Sequence, residues 1–285
     1  MEADDRMNGT GSLICVGLGM MLGAHLTPRS RAAIESADVV FAAVSDPVVE
    51  LWLARLHPDL RSLQPCYDDS ETTPRTEAYR RMVALMLTEV RAGKRVCGAF
   101  YGHPGVFAMA PHQAIAQARA EGFEAVMEPG ISAEDCLFAD LGIDPGRVGC
   151  QQFEASQFMF YQRRLDPSAY LLLWQIGFAG DRDNRRYRTG AAQRTVLVDL
   201  LRETYPSDHP VTIYEAATLP IQTFRADTLA LADLPMADVH PHSTLVVPPA
   251  VALRPNPAIL ARLARLDAES EQPDAAHNRE GVTHV

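Results

Sequence analysis

The stretch LICVGLGMMLG, residues 13–23, decides the fold. Its first six residues are a continuous apolar run, too short for a helix, that leads straight into glycines at 17, 19 and 23. Such a run reads as a buried strand ending in a tight loop. The segment Pro28–Ser36 then has a helical pattern, with Thr27 as N-cap and Pro28 at the first helical position. ADVVFAAV, residues 37–44, is a second buried strand. Strand, glycine loop, helix and strand in that order make a parallel βαβ unit.

Working outward, helices are expected from Asp46 to Leu56 and from Thr76 to Arg91, followed by a strand in RVCGAFYG (95–102). HQAIAQARAEG (112–122) is a helix closed by Gly122, and FEAVMEPG (123–130) is again a strand. The alternation predicts an α/β lobe over residues 11–125. Beyond it the strands YLLLWQIG, PVTIYEAA and STLVVPP are widely separated by irregular stretches and one helical run, AAQRTVLVDLLRETY, so mixed or antiparallel pairing is expected in a second α/β lobe over 126–255. GDRDNRRYRTG (180–190) reads as a solvated loop. Residues 1–10 are expected to be a flexible start, and 256–285 a terminal helix, PAILARLARL, followed by a polar flexible tail.

With 47% apolar and 22% charged residues, the 285-residue chain has the balance of a globular protein with a sizeable core. A formal net charge of -10 argues against nonspecific nucleic-acid binding, which needs clustered cations. Lys94 is the only lysine, and no function follows from that bias. The five cysteines are odd in number and lack CxxC spacing, so they read as reduced core thiols of a soluble, cytoplasmic protein. The acidic start does not resemble a signal peptide, no run approaches the ~20 apolar residues that span a bilayer, and no metal site is expected.

GLGMMLG departs from the dinucleotide-binding spacing GxGxxG by one residue, although Ser45 and Asp46 after the second strand could act as a ribose partner. An NAD-dependent oxidoreductase is therefore one reading of this loop. Tyr101, Gly102, His103, Pro104, Gly105, Val106 and Phe107 form a rigid loop at the carboxyl edge of the sheet, where α/β domains bind ligands; a plain strand-to-helix turn is the alternative. A second Pro-Gly loop follows, in which Ser132 can cap the helix whose first turn holds Glu134 and Asp135.

Together, a VGLG strand-loop, an ADVV second strand, a Pro-Gly loop after the third strand and PGISA after the next resemble the tetrapyrrole methylases. Within that class YGHPGVF, PGISAEDCLFADLGIDPG, LLLWQIG and STLVVPP are most similar to the borosin family of peptide backbone N-methyltransferases, over about residues 11–250. The resemblance implies a tetrapyrrole-methylase-like α/β fold of two lobes, with S-adenosyl-L-methionine in the cleft between them. It maps cofactor contacts onto Tyr101, His103, Val106, Phe107, Ser132, Ala133, Gln175, Ala216, Ser243 and Thr244. In CYDDSETTPRTEAYRRM (66–82), Arg75 and Tyr79 lie four residues apart, so one helix can stack their side chains. An arginine resting on a tyrosine ring at the surface would show the same spacing. Borosin enzymes carry a catalytic Arg and Tyr at this spacing, which by resemblance makes Arg75, Tyr79 and the preceding Tyr67 the catalytic candidates.

A backbone amide nitrogen is a poor nucleophile because its lone pair is delocalised into the carbonyl. The expectation is that Tyr79, helped by the Arg75 cation, removes the amide proton or bonds the imidate, while Tyr67 or Tyr101 holds the oxygen. The resemblance further implies a homodimer and a ribosomal precursor peptide as substrate. The short polar tail 268–285 leads to the expectation that this peptide is a separate chain, methylated in trans. The alternatives are a tetrapyrrole C-methyltransferase and a noncatalytic cofactor-binding partner.

Overall fold

Apolar side chains on both faces of the first strand force it into the interior of a sheet covered on both sides. The computed structural model describes residues 11–44, 46–67, 74–186 and 188–270. Ser45, the expected flexible start 1–10 and most of the expected flexible tail, 271–285, lie outside the described residues. In chain order the first sheet and its helices are β1 (Ser12–Gly17), α1 (Pro28–Ser36), β2 (Val39–Ala43), α2 (Pro47–Leu53), β3 (Leu60–Ser62), α3 (Arg75–Arg91), β4 (Arg95–Phe100), α4 (Met109–Ala120) and β5 (Glu124–Glu128). The sheet order is β3-β2-β4-β1-β5, with every described pair parallel.

The sequence signals for the helices hold locally. Thr27 Oγ1 accepts from Ser30 N at 3.1 Å, and Asp46 Oδ1 accepts from Val48 N at 2.8 Å at the start of α2, so both residues are N-caps followed by proline. Gly122, at φ +86, ends α4. On one face of the sheet Leu13, Met82, Met86, Leu87, Val96 and Ala114 bury α3 and α4; on the other, Val16, Val40, Ile34 and Leu53 bury α1 and α2. The short polar edge strand β3 carried no periodic signal, and only pairing with β2 makes it a strand.

The following elements are α5 (Ala133–Leu141), α6 (Pro145–Val148), β6 (Cys150–Glu154), α7 (Ala155–Phe160), β7 (Tyr170–Trp174), α8 (Ala191–Leu201), β8 (Pro210–Glu215), β9 (Arg225–Ala230) and β10 (Thr244–Val247). They build a second sheet of order β6-β7-β10-β8-β9, parallel only between β6 and β7, which is the mixed pairing expected. Leu171, Leu173, Ile213 and Leu245 bury one face, and Leu172, Trp174, Tyr214 and Val246 pack with Leu137 of α5 on the other. Both sheets belong to one unit that extends to Ala250.

The remaining segment, described by itself, holds α9 (Pro257–Ser270), in which Ile259, Leu260, Leu263 and Leu266 are all exposed. Among the described residues no helix is long and apolar enough to cross a membrane, and all five cysteines are free thiols.

Candidate active site

Three loops leave the carboxyl edge of the parallel sheet and meet there. Gly17 ends β1, Gly102 follows β4 and Gly130 follows β5. A Cβ at Gly17 would lie 2.5 Å from the Gly102 carbonyl oxygen and 2.6 Å from Gly130 Cα. The loops therefore pack backbone against backbone, which only glycine allows. Gly19 and Gly102, both left-handed, exchange hydrogen bonds: Gly19 N donates to Gly102 O at 3.1 Å, and Gly102 N to Gly19 O at 2.9 Å. Leu22 N donates to Thr218 O at 2.9 Å, which ties the glycine loop to the connection after β8. A cavity of about 50 Å³ lies beside this loop, lined in part by Gly19, Gly23, Asp46, Trp52, Tyr101 and Thr218. It has room for a few waters. Asp46, a candidate ribose partner of the NAD reading, accepts from Val48 N as the cap of α2.

The loop after β4 carries Tyr101, His103, Val106 and Phe107. His103 Nδ1 accepts from Gly105 N at 2.8 Å, so a neutral His103 carries its proton on Nε2. Phe107 has a positive φ of 49°, uncommon for a bulky residue, and its exposed ring meets Trp174 at a centroid distance of 5.7 Å. This contact joins the loop of the first sheet to β7 of the second. Trp174 Nε1 in turn donates to Gln152, whose amide donates to Glu134 in the first turn of α5.

Ser132 is buried and forms a capping box with Asp135, as its position before α5 predicts. Ala133 and Ala216 both pack on the cluster of Leu137, Trp174 and Tyr214. Gln175 takes the left-handed conformation directly after Trp174, and Thr244 pairs with Tyr214. Ile176 N donates to Ser243 O at 3.0 Å, which brings Gln175 and Ser243 to one place. Phe107, Ala133, Gln175, Ala216 and Thr244 thus converge around Trp174 and Tyr214, although they span well over a hundred residues of sequence. Ser243 is fully buried, and its hydroxyl accepts from His240 N and donates to Glu215. Both directions of that hydroxyl are used within the protein.

The tyrosines form a second group. Tyr67 and Tyr79 pack edge to face, ring centroids 6.3 Å apart at 87°. Tyr101 is 54% exposed and lies at the mouth of the loop, with protein on its inner side. Desolvation, followed by the proximity of Tyr79, pushes its phenol above the ordinary value.

Arg75 differs from the expected stack. It opens α3, and a helical side chain leans toward the N-terminus, so the guanidinium reaches off the helix end instead of over Tyr79. It lies 4.1 Å above the Phe178 ring, donates to Arg186 O at 2.6 Å and is 3.4 Å from both Asp181 Oδ2 and Asn184 Oδ1. Its backbone N–H donates to Asn184 O at 2.8 Å. The segment 180–190, expected as a solvated loop, instead buries Asp181, a carboxylate only 5% exposed that also accepts from Arg186 N. The excess of arginines around it hid the one acid that faces inward.

The chain belongs to the tetrapyrrole (corrin/porphyrin) methylases, whose family model matches residues 12–233. It is 40% identical over 268 residues to a methyltransferase/ribosomally synthesized cyclic peptide gymnopeptides precursor of Gymnopus fusipes, covering 93% of this chain and 63% of that protein. It is 38% identical over 268 residues to the corresponding omphalotin A precursor protein of Omphalotus olearius, covering 93% and 64%. The chain thus spans a little under two thirds of these relatives' length. In fold it is similar to a uroporphyrin-III-C-methyltransferase from Thermus thermophilus, with a TM-score of 0.58 at 22% identity over 87% of this chain and 99% of that one.

Proposed function

We propose that the protein is an S-adenosyl-L-methionine-dependent methyltransferase that N-methylates backbone amides of a ribosomal precursor peptide. The observation that carries this reading is the similarity, at 40% identity over 93% of the chain, to a protein named both as a methyltransferase and as a peptide precursor. The tyrosine group on α3 and the loops beside it adds chemical support. The alternative of a tetrapyrrole C-methyltransferase rests on the family model and on fold likeness at 22% identity, without a relative of comparable identity.

In this reading the cofactor cleft lies between the lobes 11–125 and 126–255. Tyr101, His103, Val106, Phe107, Ser132, Ala133, Gln175, Ala216, Ser243 and Thr244 line it. The donor set suits the group: Phe107, Val106, Ala133 and Ala216 offer apolar walls, while Gln175, the Nε2–H of His103 and backbone atoms near Ser243 offer polar edges. When bound, the cofactor supplies an electrophilic methyl group. Tyr101, held neutral by its raised pKa, donates to the amide oxygen as it becomes an imidate. Tyr79 Oη accepts the amide N–H and takes up that proton while passing its own phenol proton to solvent, and Tyr67 packs against the Tyr79 ring to keep it in place. Arg75 anchors the start of α3 to the 178–186 segment, which positions Tyr79 one turn further on.

The homodimer, the cytoplasmic location and a precursor supplied as a separate chain complete the proposal. Incubating the protein with S-adenosyl-L-methionine, with and without a candidate apolar peptide, and measuring intact masses tests all the chemical parts. Methyl increments on the peptide, with S-adenosylhomocysteine released, are expected. Increments on residues 268–285 instead would overturn the in-trans part. Methylation of a porphyrinogen alone, or no turnover at all, would overturn the reading itself.

A further inference from the structure

At its carboxyl end β8 places Glu215 against the turn that enters β10. Glu215 Oε1 accepts from Ser243 Oγ, lies 2.9 Å from His240 Nδ1 and receives Arg225 Nη1 at 2.9 Å. Its second oxygen, Oε2, lies 3.3 Å from His242 Nε2. The two imidazoles are stacked, centroids 5.6 Å apart at 15°. One ligand atom from each of the three residues falls within 4.8 Å of the others. A tetrahedral zinc shell, with bonds of about 2.0–2.2 Å, holds its ligand atoms roughly 3.3 Å apart. The Oε2 to His242 Nε2 spacing of 3.3 Å equals that value, and the three ligand atoms all lie within 4.8 Å of one another.

We propose that Glu215, His240 and His242 form a zinc-type divalent metal site, with Oε2, Nδ1 and Nε2 as ligands and water in the fourth position. Imidazole and carboxylate are the donors that suit zinc. The surroundings support the assignment in three independent ways. First, His240 Nε2 faces Asp238 Oδ2 at 3.7 Å, and a carboxylate behind the far nitrogen favours the tautomer that leaves Nδ1 free to bind metal. Second, Glu215 is held through Oε1 by Ser243 and Arg225, so Oε2 is presented without freedom to turn away. Third, the side chains of His240 and His242 are 43% and 62% exposed, which gives a path from solvent.

Arg225 is the opposing charge. It is paired with Asp227 at 2.6 Å as well as with Glu215, and Arg188 pairs with Asp238 at 2.8 Å. Three carboxylates therefore face two guanidinium groups, and with neutral imidazoles a dication enters a region of net negative charge. The metal's effect is to pin the 238–243 turn to the end of β8, next to Ala216 and Thr244. The ligands were not legible as a motif, because Glu215 lies 25 residues before His240.

The test uses tag-free full-length protein, titrated with Co²⁺ followed by absorbance and with Zn²⁺ followed by calorimetry. One equivalent should bind with the visible spectrum of a four-coordinate cobalt centre, displaced by zinc, and zinc should raise the melting midpoint. His242→Gln, at an exposed position, should weaken zinc binding at least about tenfold, and the double variant His240→Ala/His242→Ala about a hundredfold or more. Absence of stoichiometric binding to the native chain overturns the proposal. So does zinc affinity in His242→Gln equal to that of the native chain, a readout that does not depend on the double variant folding.

Discussion

Replacing Gly130 by alanine tests whether the three loops at the sheet edge are held by direct backbone contact. Gly130 is not in the left-handed region, so alanine carries no conformational strain there. The added methyl would lie 2.2 Å from the Gly102 carbonyl oxygen and 2.7 Å from Gly17 Cα. Ordinary contact begins near 3.4 Å, so the loop has to move by about 1.2 Å. Overpacking of this kind costs about 1–3 kcal/mol, and rigid backbone on both sides places this site at the upper end. The same displacement carries Ser132 and Ala133 away from the Trp174 cluster. A shift of about 1 Å costs a positioned site roughly a hundredfold, expected here as weaker cofactor binding. Urea unfolding and calorimetric titration with S-adenosyl-L-methionine measure the two effects separately. Gly122→Ala is the control: its φ of +86° brings strain of about 1–2 kcal/mol, but no atom lies within 4 Å, so cofactor affinity should not change. A Gly130→Ala protein with native stability and native cofactor affinity would refute the close-packing argument.

Tyr79→Phe should lower methyl transfer by about 10² to 10⁴-fold while leaving cofactor affinity near that of the native chain; loss of cofactor binding in a calorimetric titration would assign Tyr79 a structural role instead. Tyr205→Phe should stabilise the fold by about 1 kcal/mol, read as a higher urea midpoint, because the buried Tyr205 hydroxyl has no described partner. Burial holds the thiols of Cys136 and Cys150 up at about 11, whereas they ionise near 9 in the unfolded chain. The folded state then binds more protons, so stability is full below pH 9 and falls as the pH rises from about 9 to about 11. A melting midpoint, measured in reductant, that stays level across that interval would contradict the burial of these groups.

Elements that carry their own boundary chemistry were legible in the chain. Thr27-Pro28 and Asp46-Pro47 set helix starts, Ser132 announced an N-cap, and LICVGL read as a buried strand. The polar strands β3, β6 and β9 were not legible, because their strand character comes from neighbours paired along an edge and from no period of their own. In the site, the glycine loop, the YGHPGVF loop and the Arg75/Tyr79 spacing stood out as local patterns. Their partners did not. Trp174 lies inside the recognised LLLWQIG run, but its ring contact with Phe107 could not be read from it, and Asp181 sits unmarked among arginines.

The sequence by itself therefore determined the class of fold, the parallel βαβ start, the capped helices and the family resemblance, since each rests on local periodicity or on residues close together. Only the tertiary structure decided where the side chains point. It turned Arg75 away from Tyr79 toward the 178–186 segment, spent the Ser243 hydroxyl inside the protein, and brought Glu215 to His240 and His242. The physical reason is the same in each case. Side-chain direction is set by which strand or loop packs alongside, and that choice depends on burying area across the whole chain, which no local stretch encodes.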